Sequence, residues 1–69
     1  MYNGIVKFFN NKNKFGFIIE NETKKEYYVH AKDVLDMPIT EGDQVYFELR
    51  EAKRAPECIN VKKYKLSNQ

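Results

Sequence analysis

The chain of 69 residues holds one histidine, His30, and one cysteine, Cys58. Catalysis by a nucleophile or a general base needs several groups converging on one point. Nothing in the spacing gives either residue such partners. Cys58 reads as a small buried apolar residue. A zinc site takes about four ligands, typically Cys and His, and the chain cannot supply them. Its three glycines stand far apart, so no Gly-rich phosphate loop is present. The sequence therefore points away from an enzyme, a metal site or a bound cofactor. The residues whose spacing does suggest chemistry are flat rings: Phe8, Phe15, Phe17, Tyr28 and His30.

These rings need elements to hold them. Residues 2–10 are rich in β-branched and aromatic types and read as a strand, followed by the polar turn Asn10-Asn11-Lys12-Asn13. Residues 15–20 and 26–31 read as a second and a third strand, separated by the polar run 21–25. Residues 32–44, with Pro38 and Gly42, read as an irregular connection that holds one short helical turn at Asp33-Val34-Leu35. Residues 44–50 alternate cleanly, with Val45, Phe47 and Leu49 on one face and Gln44, Tyr46 and Glu48 on the other. A fifth strand is expected over 57–64, with Ile59 and Val61 pointing together. No stretch of ten residues has a helical period. Five short strands with regular turns predict an all-β domain, a small barrel or sandwich. Barrel closure would also remove exposed strand edges. One domain is expected over 1–66, with a frayed end at 67–69.

Strand alternation then sorts the side chains. Ile18 and Val29 are natural core residues. With these two inside, Phe15, Phe17, Tyr28 and His30 point outward together on adjacent strands. A small domain seldom exposes a contiguous apolar patch without a use. Nucleobases are one such use, because each base can stack on an aromatic ring for roughly 1–3 kcal/mol. Lys7, Lys12, Lys14, Lys32 and Arg54 are placed to meet phosphates at the rim. Gly16, between two phenylalanines, suggests a close approach of backbone or ring.

Charge and length fit this picture. The net charge is +2, with six lysines and three acids in residues 1–32 and three basic against seven acidic residues in 33–57. The last twelve residues carry three lysines and no acid. A lone cysteine precludes an internal disulfide and fits a reducing compartment. With no signal peptide and no apolar run near the ~20 residues that span a bilayer, a soluble, cytoplasmic protein without membrane contact is expected. Nothing in the sequence demands more than a monomer.

At the same residues the chain resembles the cold-shock domain family. Asn13-Lys14-Phe15-Gly16-Phe17-Ile18 is similar to the family's Lys-Gly-Phe-Gly-Phe-Ile, and Tyr27-Tyr28-Val29-His30 to its Val-Phe-Val-His. Gly4-Ile5-Val6-Lys7-Phe8-Phe9-Asn10 resembles Gly-x-Val-Lys-Trp-Phe-Asn. Glu41 to Phe47 matches Glu-Gly-x-x-Val-x-Phe, and Arg54-Ala55-Pro56 with Asn60-Val61 matches the closing blocks. The resemblance implies a five-stranded antiparallel OB-type β-barrel. It implies binding of single-stranded RNA or DNA, with a lean to pyrimidine-rich stretches, and action as an RNA chaperone that melts secondary structure and influences transcription and translation. By position it implies stacking by Phe8, Phe15, Phe17, Tyr28 and His30. It also implies polar contacts from Lys7, Asn10 and Arg54; Phe9 and the rim residues Lys14 and Lys32 complete the expected nucleic-acid site. Three departures stand out. Phe8 replaces a tryptophan and lacks its indole N–H. Asn13-Lys14 replaces Lys-Gly. Ala31 and the ring-free segment 33–40 remove two outer stacking rings, which implies weaker binding or a shorter footprint.

Two other readings differ in class. An RNA-recognition-motif domain needs two helices and the reverse motif order. A barrel that anchors a peptide through its exposed rings is the alternative from outside nucleic-acid binding. Salt separates it, since only phosphate contacts release counterions steeply.

Overall fold

The computed structural model describes residues 1–64. Five strands form in chain order: β1 (Tyr2–Asn10), β2 (Phe15–Glu20), β3 (Glu26–His30), β4 (Gln44–Arg50) and β5 (Glu57–Lys63). They close into one barrel in the order β1-β2-β3-β5-β4. Four of the five seams are antiparallel. The closing one, β3 against β5, is parallel and rests on the pair Tyr28 and Glu57. The expected frayed end at 67–69 lies outside the described residues.

Side-chain hydrogen bonds shape the two tight connections. After β1, the Asn10 carboxamide oxygen accepts from the backbone amides of Lys12 (2.9 Å) and Asn13 (3.0 Å). This Asx-type arrangement turns the chain without help from the ladder. After β2, Glu20 does the same from a buried position. Its carboxylate accepts from the Thr23 amide (2.9 Å), the Thr23 hydroxyl (2.7 Å) and the Glu22 amide (3.1 Å). Those donors, the Thr23 amide first, lower the Glu20 pKa below the usual carboxylate range.

The core comprises Val6, Ile18, Val29, Val34, Ile39, Val45, Phe47, Cys58 and Val61. Ile18 and Val29 are fully buried, as alternation requires, and Val45 and Phe47 join them from β4. Burial pushes the Cys58 thiol up to about 12, so it stays protonated and inert at neutral pH.

The structure corrects the sequence expectations in four places. In β5, Cys58 and Val61 face inward and Ile59 is only half-buried. Asn60 takes a left-handed φ of 53° beside a register shift against β4, and this breaks the alternation. The helical turn lies at Ala31–Asp33, two residues earlier than expected, because the His30 ring caps it by accepting from the Lys32 amide at 3.1 Å. β3 accordingly ends at His30 and β5 at Lys63. The irregular connection also contributes to the core. Val34 pairs with Val61, the Leu35 amide donates to the Val61 carbonyl at 2.7 Å, and Ile39 is fully buried.

Two outcomes test this account. Ile18→Ala should lower stability by roughly 2–4 kcal/mol in urea unfolding, as deletion of a buried aliphatic chain does. An unchanged midpoint would place Ile18 outside the core. For Glu20, the folded pKa lies below the unfolded value of about 4.3. Its stabilisation is therefore complete above that value and is lost as pH falls through the folded pKa. Glu20→Gln should destabilise at pH 7, and the gap to the parent should shrink steadily below pH 4. A constant gap would assign the loss to packing alone.

Candidate nucleic-acid interface

The interface is built on a flaw in β1. Val6 pairs with Ile18, but Phe8 pairs with Phe17, so one residue of β1 is extra. Such a bulge turns two consecutive side chains the same way. Lys7 and Phe8 both emerge on the outer surface, while Val6 points inward. Opposite the bulge sits Gly16. A Cβ there would overlap the Phe8 carbonyl oxygen and lie 2.8 Å from the Phe9 Cα. Only glycine admits that approach of β1 to β2.

Three strands then align the rings. Phe8, Phe17 and Tyr28 form one row across β1, β2 and β3, and Phe15 and His30 form the next. Ring centroids lie 5.6 Å apart for Phe8–Phe17, 6.0 Å for Phe17–Tyr28, 6.1 Å for Phe8–Phe15 and 5.9 Å for Phe15–Tyr28. The Phe15–Tyr28 planes are close to parallel at 21°, while most others meet edge to face. Phe8 is 38 % exposed, and the remaining rings are half-buried. Because the His30 Nδ1 accepts the Lys32 amide, the neutral ring keeps its proton on Nε2 as a free donor.

The other sequence-predicted residues divide. Arg54 lies beside the platform in an open groove of about 410 Å³, lined also by Phe17, Tyr28, Glu26, Pro56 and Glu57. Lys14 and Lys32 are exposed and, like Lys12 and Arg54, form no ion pair among the described residues. Lys7 is committed to Glu26 at 3.0 Å, an exposed pair of small net worth that a phosphate can displace. Asn10 spends its carboxamide oxygen on the turn. Phe9 stands apart from the platform, because the strand returns it inward after the bulge and it packs against the core. Sequence reasoning passed over Glu26 and Glu57, which bring two carboxylates to the groove. One more step of alternation from Tyr28 finds Glu26. Glu57 follows only from the parallel β3–β5 seam. It is held by Arg50 at 2.9 Å, and that bond raises the Arg50 pKa.

A closed five-strand barrel with rings displayed on its outer surface defines a class of small nucleic-acid-binding domains. The chain belongs to the cold-shock domain family: residues 2–64 match the "'Cold-shock' DNA-binding domain". It is 41 % identical over 66 residues to cold shock protein CspD of Bacillus subtilis, covering 91 % of this chain and 98 % of that one. It is 39 % identical over 64 residues to cold shock-like protein CspB of Bacillus cereus, covering 88 % and 97 %. Human Y-box-binding protein 3 is 32 % identical over 65 residues, covering 84 % of this chain and 18 % of that longer protein. Among solved structures, drosophila Unr CSD456 superposes with a TM-score of 0.78 at 23 % identity, covering 93 % of this chain and 26 % of that one, a likeness of fold. Among the described residues, no helix is long and apolar enough to cross a membrane.

The geometry marks Lys14 as a strained position. It holds φ 66°, the conformation that glycine adopts freely and the motif's usual glycine would supply. A left-handed L-residue costs about 1–2 kcal/mol, partly offset by the greater unfolded freedom of glycine. Lys14→Gly should therefore raise stability by about 0.5–1 kcal/mol. A loss of melting temperature would show that the lysine side chain contributes contacts that outweigh the strain.

Proposed function

We propose that this chain binds single-stranded RNA or DNA by stacking successive bases on Phe8, Phe15, Phe17, Tyr28 and His30. Lys14, Lys32 and Arg54 meet the phosphates, and Lys7 joins them by exchanging Glu26 for phosphate. The observation that carries this reading is the cluster of four mutually packed rings on the outer face of three adjacent strands. The names and family of its relatives support the same function. Stacking is tolerant of sequence, since every base has a π face. The lean to pyrimidine-rich strands comes from the family resemblance. A protein that holds bases unstacked from one another traps the single-stranded form, and so melts RNA secondary structure. That is the work of an RNA chaperone influencing transcription and translation, done as a non-enzymatic cytoplasmic monomer.

Ala31 and the ring-free segment 33–40 leave this platform without a ring beyond His30. The binding energy should therefore concentrate in the two ring rows. Phe17→Ala or Tyr28→Ala should weaken binding to a deoxythymidine oligonucleotide by about 1–3 kcal/mol in fluorescence anisotropy, with the fold retained. Affinity should fall steeply with added salt through counterion release, and a duplex of the same length should bind less well. Salt-insensitive binding, or preference for duplex, would overturn the reading.

A further inference from the structure

The outer face of β1 does not end at Phe8. Toward the N-terminus Ile5 is exposed and pairs with Ile19, and Asn3 follows it on the same side. There β1 keeps β2 on one side and pairs with β4 on the other, placing Asn3 opposite Tyr46 and Ile5 opposite Gln44. Tyr46 in turn stands opposite Lys62, which is exposed on β5. The result is an open groove of about 350 Å³ lined by Asn3, Asn21, Gln44, Tyr46 and Tyr64, with Gly4 and Val45 at its base. The Tyr46 and Tyr64 rings meet edge to face at 5.2 Å, and Tyr64 is 42 % exposed.

This composition has a chemical meaning. Three side-chain amides each present a donor and an acceptor, the combination that pairs with a base edge. Two tyrosines give ring surface for stacking, and Lys62 gives a positive charge for a phosphate. The neighbouring carboxylate of Asp43 is turned away, since it accepts from the Thr40 amide at 2.9 Å. Phe8 and Asn3 are five residues apart, about 17 Å along an antiparallel strand. Exposed apolar surface at Ile5 bridges the gap.

We infer that this groove is a second base-binding site, which takes the continuation of the same single strand after it leaves the aromatic platform at Phe8. The inference rests on the nucleic-acid reading of the platform. It makes the footprint asymmetric. The side beyond His30 is short of rings, and the side beyond Phe8 is extended around the barrel.

Oligonucleotide length separates the two sites. Fluorescein-labelled deoxythymidine hexamer and dodecamer are titrated with the full chain and with Tyr46→Ala, Tyr64→Ala and Lys62→Gln, each checked by thermal melting. The parent should bind the dodecamer more tightly than the hexamer. Each tyrosine variant should bind the hexamer like the parent and the dodecamer about 5- to 50-fold more weakly. Lys62→Gln, at an exposed position that the fold does not depend on, should lower the dodecamer's salt slope by about 0.7. Variants that bind the dodecamer like the parent would overturn the second site and leave the platform standing. Equal losses at both lengths would also overturn it, by showing that these residues act through the barrel. If the parent binds neither strand, the platform reading itself fails.

Discussion

The contact between Gly16 and the bulged stretch of β1 decides what this surface can be. Without a side chain at Gly16, the backbone of Phe8 and Phe9 seats directly on β2. The extra residue at Lys7 then throws two neighbouring side chains outward where regular pleating allows one. The same bulge returns Phe9 to the core side, so one irregularity supplies both an outer ring and an inner one. A methyl group at residue 16 would push β1 off β2. It would separate Phe8 from Phe17, now 5.6 Å apart, and so divide the row that crosses three strands.

Around this seam the charges are arranged to be exchangeable. Lys7–Glu26 and Arg50–Glu57 are exposed pairs, and Asp33 adds a second carboxylate to Arg50 at 3.5 Å. Exposed pairs of this kind hold side chains in place at little net energy. Glu26 and Glu57 also line the groove beside Tyr28, where their carboxylates would oppose a phosphate but could accept from a base edge. Lys14, Lys32 and Arg54 form no ion pair among the described residues, which leaves them as the charges that, on the proposed reading, would attract the nucleic-acid backbone. The overall charge of +2 is therefore a poor guide to the local field.

Much of this was legible in the sequence wherever a period of two held. Alternation separates Ile18 and Val29 from Phe15, Phe17, Tyr28 and His30, because each of these strands buries a single face. It fails where the period breaks. The bulge at Lys7 sends Phe9 inward. The left-handed Asn60 exchanges Ile59 for Cys58 in the core. The connection after β3 has no period at all, yet Val34 and Ile39 fill the barrel from it, anchored by backbone bonds to β5 and by Asp36 accepting from the Lys63 amide. Those contacts are tertiary, and local pattern carries no trace of them. The groove at Tyr46 and Tyr64 escapes for the same reason: Asn3, Gln44 and Tyr64 meet only when β4 pairs with β1 and the Tyr64 amide bonds back to the Gln44 carbonyl.

The platform also explains how so small a domain can display so much aromatic surface. A chain of this length buries only about 60 % of its unfolded surface, and nine of the described residues make the core. The outer rings supplement it. Each packs an edge or a face against its neighbours, and such contacts add about 0.5–1.5 kcal/mol per pair beyond their buried area. The cluster is therefore already ordered before a ligand arrives, which lowers the entropy cost of binding. The ring planes are not all parallel, however. Phe15 and Tyr28 lie within 21° of each other, while Phe17 stands nearly perpendicular to both. A strand of bases cannot lie flat on every ring at once. On the proposed reading, successive bases would turn as they pass from ring to ring, and each would be held away from its neighbour in the strand. That geometry opposes base-on-base stacking, the interaction that stabilises the paired forms a single-strand binder must compete against.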